Sequence, residues 1–247
     1  KSSSGLGLKH DHGQMETSEA RKARKDPKPP PKRRRARALP EALGDGPFTR
    51  AEAAGMGVHD AWIHQAKLHN PTRGIWCQDE PSHWRSRAVA HALALPPGSA
   101  YSHTTGAKIH DLPLPWRLER EDKDVPADLH VITPSSLTQR RRPGWIGHTG
   151  AERRQVVVVD GLPVTGLIDT WIDLGSMAVG RRRALTIEDL VVAGDELINK
   201  LIATGAAGSH RSRLGHAQRH LDPEVVGPVL VLIRARLAER VRPRLRG

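Results

Sequence analysis

Apolar residues along this chain fall into runs whose spacing changes several times, and each change marks a candidate element. Ile187, Leu190, Val191, Gly194, Leu197, Ile198, Leu201 and Ile202 recur at three- and four-residue intervals, which puts them on one face of a helix over 187–202. Thr186 with Asp189 caps the start of that helix and Gly205 ends it. Near the other end, Thr49 followed three residues later by Glu52 forms a capping box, with Phe48 before it as a hydrophobic staple. The spacing predicts a short helix over 50–54, ended by Gly55 and Gly57. A second helix follows over about 58–68, where Val58, Trp62 and Ala66 share a face with Ile63 beside them. Asn70-Pro71 breaks it, and the residues from Arg73 to Cys77 read as a turn into a strand.

Beyond Asp79 the pattern becomes mixed. Residues 84–94, 100–109 and 167–177 read as helices, whereas 129–133, 145–148 and 156–159 are short strand candidates. Turn chemistry at Pro143-Gly144 and Asp160-Gly161 separates them, and 119–128 reads as an acidic, polar loop. The expected fold class is therefore α+β. An N-terminal winged helix-turn-helix spans 38–80, because short helix, tight turn, longer helix and β-ribbon are its outline. A small mixed α/β domain spans 84–203.

Charge changes the picture at the two ends. Residues 1–37 carry a net +8 and 200–247 a net +7, whereas 38–199 carries −3, within an overall +12. Residues 1–37 have almost no large apolar side chains and cannot offset the entropy of ordering, so they are expected to be a disordered basic tail. Within it, 21–37 is a basic run stiffened by Pro27, Pro29, Pro30 and Pro31. It reads either as a solvated linker or as a sequence-blind contact to nucleic-acid phosphates through Arg33, Arg34 and Arg35. In the C-terminal segment 206–247, Val229, Ile233, Leu237 and Val241 are four apart with arginines between them. That spacing predicts a basic amphipathic helix. The triplets Arg140-Arg141-Arg142 and Arg181-Arg182-Arg183 are phosphate contacts, solvated turns or partners of acids such as those at 119–128.

Catalytic signatures are missing from the sequence. There is no phosphate loop and no nucleophile-elbow serine. His216 and His220 are spaced for one helix face without a third ligand, so no metal ligand, cofactor or catalytic residue is assigned. The lone Cys77 excludes an internal disulfide, reads as a small buried residue and fits a reducing cytoplasm. No apolar run is long enough for a membrane span and no signal peptide opens the chain, so a cytoplasmic protein is expected.

The order of several motifs carries a resemblance. Phe48-Thr49-Arg50-Ala51-Glu52-Ala53-Ala54-Gly55 comes first, with Arg73-Gly74-Ile75-Trp76 behind it. His103-Thr104-Thr105-Gly106-Ala107, Leu112-Pro113-Leu114-Pro115, Leu129-His130-Val131 and Gly147-His148 follow. Gly161-Leu162-Pro163-Val164-Thr165, Asp169-Thr170-Trp171-Ile172-Asp173-Leu174 and Val191-Val192-Ala193-Gly194-Asp195 close the series. Over roughly 45–200 this resembles the AbiEi-type antitoxins and transcriptional regulators of actinobacterial type IV toxin-antitoxin systems. Many relatives of this layout continue into a Vsr-like nuclease domain. After Lys200 this chain carries no lysine and only Asp222, Glu224 and Glu239 as acids. That stretch lacks the paired carboxylates and nearby lysine on a packed sheet that such a metal-dependent site needs, so the resemblance makes 206–247 a truncated remnant as the alternative to the helix.

The resemblance implies a non-enzymatic DNA-binding regulator that represses its own operon by binding the operator and counters a nucleotidyltransferase toxin. Thr49, Arg50, His59, His64, Gln65, Lys67 and Arg73 are its plausible DNA contacts in the winged helix. Residues 41–80 nevertheless carry a net −3, and that keeps open a second reading, an antitoxin that docks on its toxin without touching DNA. A degenerate Vsr-like endonuclease is the third reading.

Overall fold

Both capping boxes foreseen from the sequence form in the computed structural model, which describes residues 39–119, 127–137, 142–178, 184–203 and 231. Thr49 Oγ1 accepts from the Glu52 amide at 3.2 Å, and Glu52 Oε2 accepts from the Thr49 amide at 2.7 Å. Thr186 and Asp189 exchange the same pair of bonds at 3.2 and 2.9 Å. Each box satisfies backbone N–H groups that a helix start leaves without an internal partner. The expected disordered tail, the amphipathic C-terminal helix, most of the acidic loop, Arg140, Arg141, the Arg181 triplet and His216 with His220 lie outside the described residues.

The structure is mixed α+β, and the described residues belong to one compact unit that runs from Arg37 onward. Its first part has strand β1 (Phe48–Thr49), helix α1 (Arg50–Gly55), helix α2 (Asp60–Gln65), strand β2 (His69–Thr72) and strand β3 (Ile75–Cys77). The strands form an antiparallel sheet in the order β1-β3-β2, with Phe48 opposite Trp76 and Thr49 opposite Ile75. The β2–β3 hairpin turns at Gly74, whose φ of +87° is a conformation that side-chain-bearing residues rarely adopt. Phe48, Ala53, Val58 and Ile63 are its buried core. The foreseen staple is thus present: Phe48 and Ala53 are in one cluster. Helix α2 is shorter than its periodicity suggested. His59 and Ala66, which flank it, have extended backbone, so Val58 reaches the core from outside the helix.

The second part begins with helix α3 (Trp84–Ala92), which contacts β2, β3 and the larger sheet. Strand β4 (Ala100–Tyr101), helix α4 (His103–Ile109) and the single-turn helix α5 (Trp116–Glu119) come next. Strands β5 (Leu129–Thr133), β6 (Trp145–Thr149), β7 (Val156–Val159) and β8 (Leu162–Thr165) then precede helices α6 (Leu167–Ala178) and α7 (Ile187–Ala203). The five strands lie in the order β6-β5-β4-β8-β7, with β5–β6 and β4–β8 parallel and the other two pairs antiparallel. The predicted helix over 100–109 is therefore a strand followed by a helix. Tyr101 is fully buried between β5 and β8, and its hydroxyl donates to the Ala88 carbonyl at 2.6 Å.

Two clusters hold this part together. Ala88, Tyr101, Ile109, Leu129, Val131, Leu162 and Val164 pack α3 and α4 on the sheet. Trp171, Ile172, Leu174, Leu190, Leu197 and Ile198 join α6 to α7, and Trp171 Nε1 donates to the Leu190 carbonyl at 2.9 Å. Helices α4 and α6 approach so closely that a Cβ at Gly106 would stand 3.1 Å from Thr170 Cγ2. Among the described residues, no helix is long and apolar enough to cross a membrane.

The orientation of α7 gives a direct test. Leu197 is fully buried and Val192 is 55% exposed on the same helix. Leu197→Ala is expected to lower unfolding free energy by about 2–5 kcal/mol, whereas Val192→Ala should stay within about 0.5 kcal/mol. Urea unfolding of the two variants measures the contrast.

Candidate nucleic-acid interface and a buried histidine cluster

The seven residues expected to meet DNA fall on the first part of the fold, but they are not equally available. The Thr49 hydroxyl is used as a helix cap. The Arg50 guanidinium is paired with the Asp60 carboxylate at the start of α2. His59 precedes that helix, His64 lies in its last turn and Gln65 ends it, and both histidines are exposed. Lys67 is exposed before β2, and Arg73 is exposed beside Gly74 at the hairpin tip. The structure thus leaves His59, His64, Lys67 and Arg73 as solvent-facing donors around α2 and the hairpin.

Arg142, grouped in the sequence with possible phosphate contacts, is turned inward. Its Nη1 donates to Thr72 Oγ1 at 3.2 Å and to the Arg73 carbonyl at 3.1 Å, and its guanidinium stands 5.3 Å from the Trp145 ring centroid. It ties the β2–β3 hairpin to the start of β6. Its basic neighbours Arg140 and Arg141, like Arg33, Arg34 and Arg35, lie outside the described residues. Cys77 is buried, as expected, and burial raises its thiol pKa with help from Asp79 and Glu80.

A second constellation was not legible in the sequence. One ring nitrogen each from His103, His130 and His148 lies within 4.8 Å of the other two. Three neighbouring segments supply them: the β4–α4 junction, β5 and β6. Pairing in register sets His130 opposite Ile146 and Ile132 opposite His148. Alternation along parallel strands then brings His130 and His148 to one face as diagonal neighbours. His103 enters with a φ of +50°, a left-handed conformation that costs an L-residue of order 1 kcal/mol or more. The chain is held there by the Ser102 amide, which donates to the His130 carbonyl at 3.1 Å, and by the Gly106 amide, which donates to the Ser102 carbonyl at 2.9 Å.

The rings of His103 and His148 stack with centroids 3.5 Å apart, and those of His130 and His148 lie 5.1 Å apart. His130 Nδ1 faces His148 Nε2 at 2.9 Å. His103 Nδ1 meets Ser102 Oγ at 2.9 Å, and its Nε2 meets Ser176 Oγ at 3.3 Å. The Ser176 hydroxyl also donates to the Asp173 carbonyl at 2.7 Å. Burial holds all three imidazoles neutral. It lowers His103 to about 2, with further repulsion from His148, His130 and Arg154. It lowers His130 to about 3, with His148 adding to the effect, and His148 to about 4.

Asp173, one helical turn before Ser176, is buried and bound at Oδ1 by Arg154, while its Oδ2 is without a hydrogen-bond partner. Burial raises its carboxyl to about 6 against the pull of Arg154. Beside the cluster, a cavity of about 200 Å³ is lined by Thr105, Lys108, Asp128 and His130 among others.

No protein-family model and no curated protein matches this sequence.

The buried imidazoles make stability depend on pH. Their folded pKa values lie below the ordinary 6.5, so their contribution is complete above pH 6.5 and is lost as the unfolded chain takes up protons below it. Asp173 acts in the opposite sense between about 4 and 6, but it is one group against three. In chelator-containing buffer, unfolding free energy is expected to fall between pH 7 and pH 5. His148→Gln should make that fall shallower in urea titrations at the two pH values.

Proposed function

We propose that this protein is a DNA-binding transcriptional regulator of the antitoxin type, acting without catalysis of its own. The observation that supports this reading most is the succession β1-α1-α2-β2-β3 with its antiparallel β1-β3-β2 sheet, which fits a winged helix-turn-helix. In such a unit the second helix enters a groove and the hairpin touches the backbone beside it. Here α2 would bring His59 and His64 to the groove, with Gln65 at its end, and the hairpin would bring Arg73 to a phosphate. The motif order described above supports the antitoxin role, with the operator of its own operon as the DNA and a nucleotidyltransferase toxin as the protein partner.

Electrostatics divides the work. The winged unit is mildly acidic, and one of its three cations, Arg50, is already paired with Asp60. Affinity would then come largely from the basic segment 1–37 through released counterions, and placement from α2 and the hairpin. The same acidity favours one competing reading, in which this face docks on a basic toxin and never meets DNA. Co-purification with the toxin that survives nuclease treatment, together with no shift of operator DNA, would establish that alternative.

A gel-shift series on the protein's own promoter fragment at increasing salt tests the proposal. Binding should weaken steeply with salt, and deleting residues 1–37 should lower both the affinity and the slope. Arg73→Ala is expected to reduce the slope by about one, the signature of a single lost phosphate contact. A full-length protein whose binding shows no salt dependence would sink the reading.

A further inference from the structure

We propose that His103, His130 and His148 together bind one divalent first-row cation of the zinc class. The argument starts from His130 Nδ1 and His148 Nε2, which face each other at 2.9 Å. Two imidazole nitrogens in that position need something between them, either one shared proton or one shared cation. Two nitrogens on a tetrahedral zinc ion stand about 3.4 Å apart, from Zn–N distances of about 2.0–2.1 Å. Binding therefore needs the two nitrogens to part by about half an ångström and both rings to turn until their lone pairs converge on one point.

The third imidazole is oriented for the same purpose. A metal-bound histidine usually gives its other ring N–H to an oxygen, which fixes the ring and its tautomer. Ser102 Oγ, 2.9 Å from His103 Nδ1, is placed to accept that proton. With the Ser176 hydroxyl donating to the Asp173 carbonyl, Nε2–H donates to Ser176 Oγ here, so a cation at Nε2 would displace that proton and shift the ring to the Nδ1–H tautomer. The left-handed backbone at His103 keeps this nitrogen within 4.8 Å of the other two, and the ring must turn out of its 3.5 Å stack on His148 to aim its lone pair at the same ion.

The donor set selects the ion. Three neutral imidazoles carry no charge and suit zinc, copper, nickel or iron better than the oxygen-seeking calcium or magnesium. Three protein ligands leave a position for water or another small ligand, as in zinc sites that perform chemistry. The cavity beside His130 has Lys108, Arg117 and Asp128 in its wall and touches the cluster through His130. Asp173, on the same helix as Ser176, has its charge taken up by Arg154 and lends the site only the backbone carbonyl that holds Ser176.

Metal loading of the full-length chain tests this. The protein is stripped with chelator, loaded with Zn²⁺ or Co²⁺ and desalted, and then its metal content and thermal midpoint are measured. The proposal expects one retained ion per chain, a raised midpoint and a Co²⁺ spectrum of nitrogen ligation. The double variant H130Q/H148Q should lose all three, whereas H69Q, at an exposed histidine in β2, should keep them. If the double variant fails to fold, zinc X-ray absorption on the unaltered protein decides by counting imidazoles. Three support the site, and fewer overturn it. Retention of the ion by a folded H130Q/H148Q also overturns it, as does a wild-type chain that keeps no ion and melts at an unchanged temperature.

Discussion

A strand buried on both faces has no solvent to which it can turn a polar side chain, and β5 is such a strand. All five of its residues are buried. Leu129 and Val131 join the apolar layer under α3 and α4, while Ile132 meets Ala100 and Ala151 on the other side. His130, in the middle of this strand, must therefore find its partners inside the protein, because a buried polar group without one is costly. The Thr105 hydroxyl accepts its amide, its carbonyl accepts from Ser102, and its ring meets His148. The left-handed entry of α4 at His103 and the five-pair register of β6 bring those partners to this one residue.

The same economy governs the cations of the body. Arg50, Arg85, Arg117 and Arg154 each reach a carboxylate, and Arg142 reaches the hairpin. The exposed pairs contribute little to stability in water. They do, however, remove positive charge from the surface that would otherwise face a polyanion. The electrostatic asymmetry visible in the sequence, basic ends around a slightly acidic middle, thus extends to how the middle uses the arginines it has.

Local signals were the legible part of this sequence. Thr49 with Glu52 and Thr186 with Asp189 announced their helices because a capping box is complete within four residues. Strand β5 was legible from its apolar run, and α7 from its periodicity. Strand β8 was not foreseen, since it follows directly on the Asp160-Gly161 turn and carries Pro163, which sits in the sheet opposite Val158. Strand β4 has two residues, too few for any alternation to show. The histidine cluster was illegible for a different reason. His103, His130 and His148 come from three segments that only strand order brings together, whereas ligand spacing can be read only within one element.

The Arg142 joint has a consequence for how the two sheets behave together. Two of its acceptors, the Thr72 hydroxyl and the Arg73 carbonyl, are uncharged. A bond to a neutral acceptor is screened by salt far less than an ion pair, and neither acceptor titrates in the physiological range. Ionic strength that dissolves the exposed pairs therefore leaves hairpin and body coupled. The hairpin is thereby fastened to the start of β6 by bonds that survive salt, alongside the packing of α3 on β2 and β3.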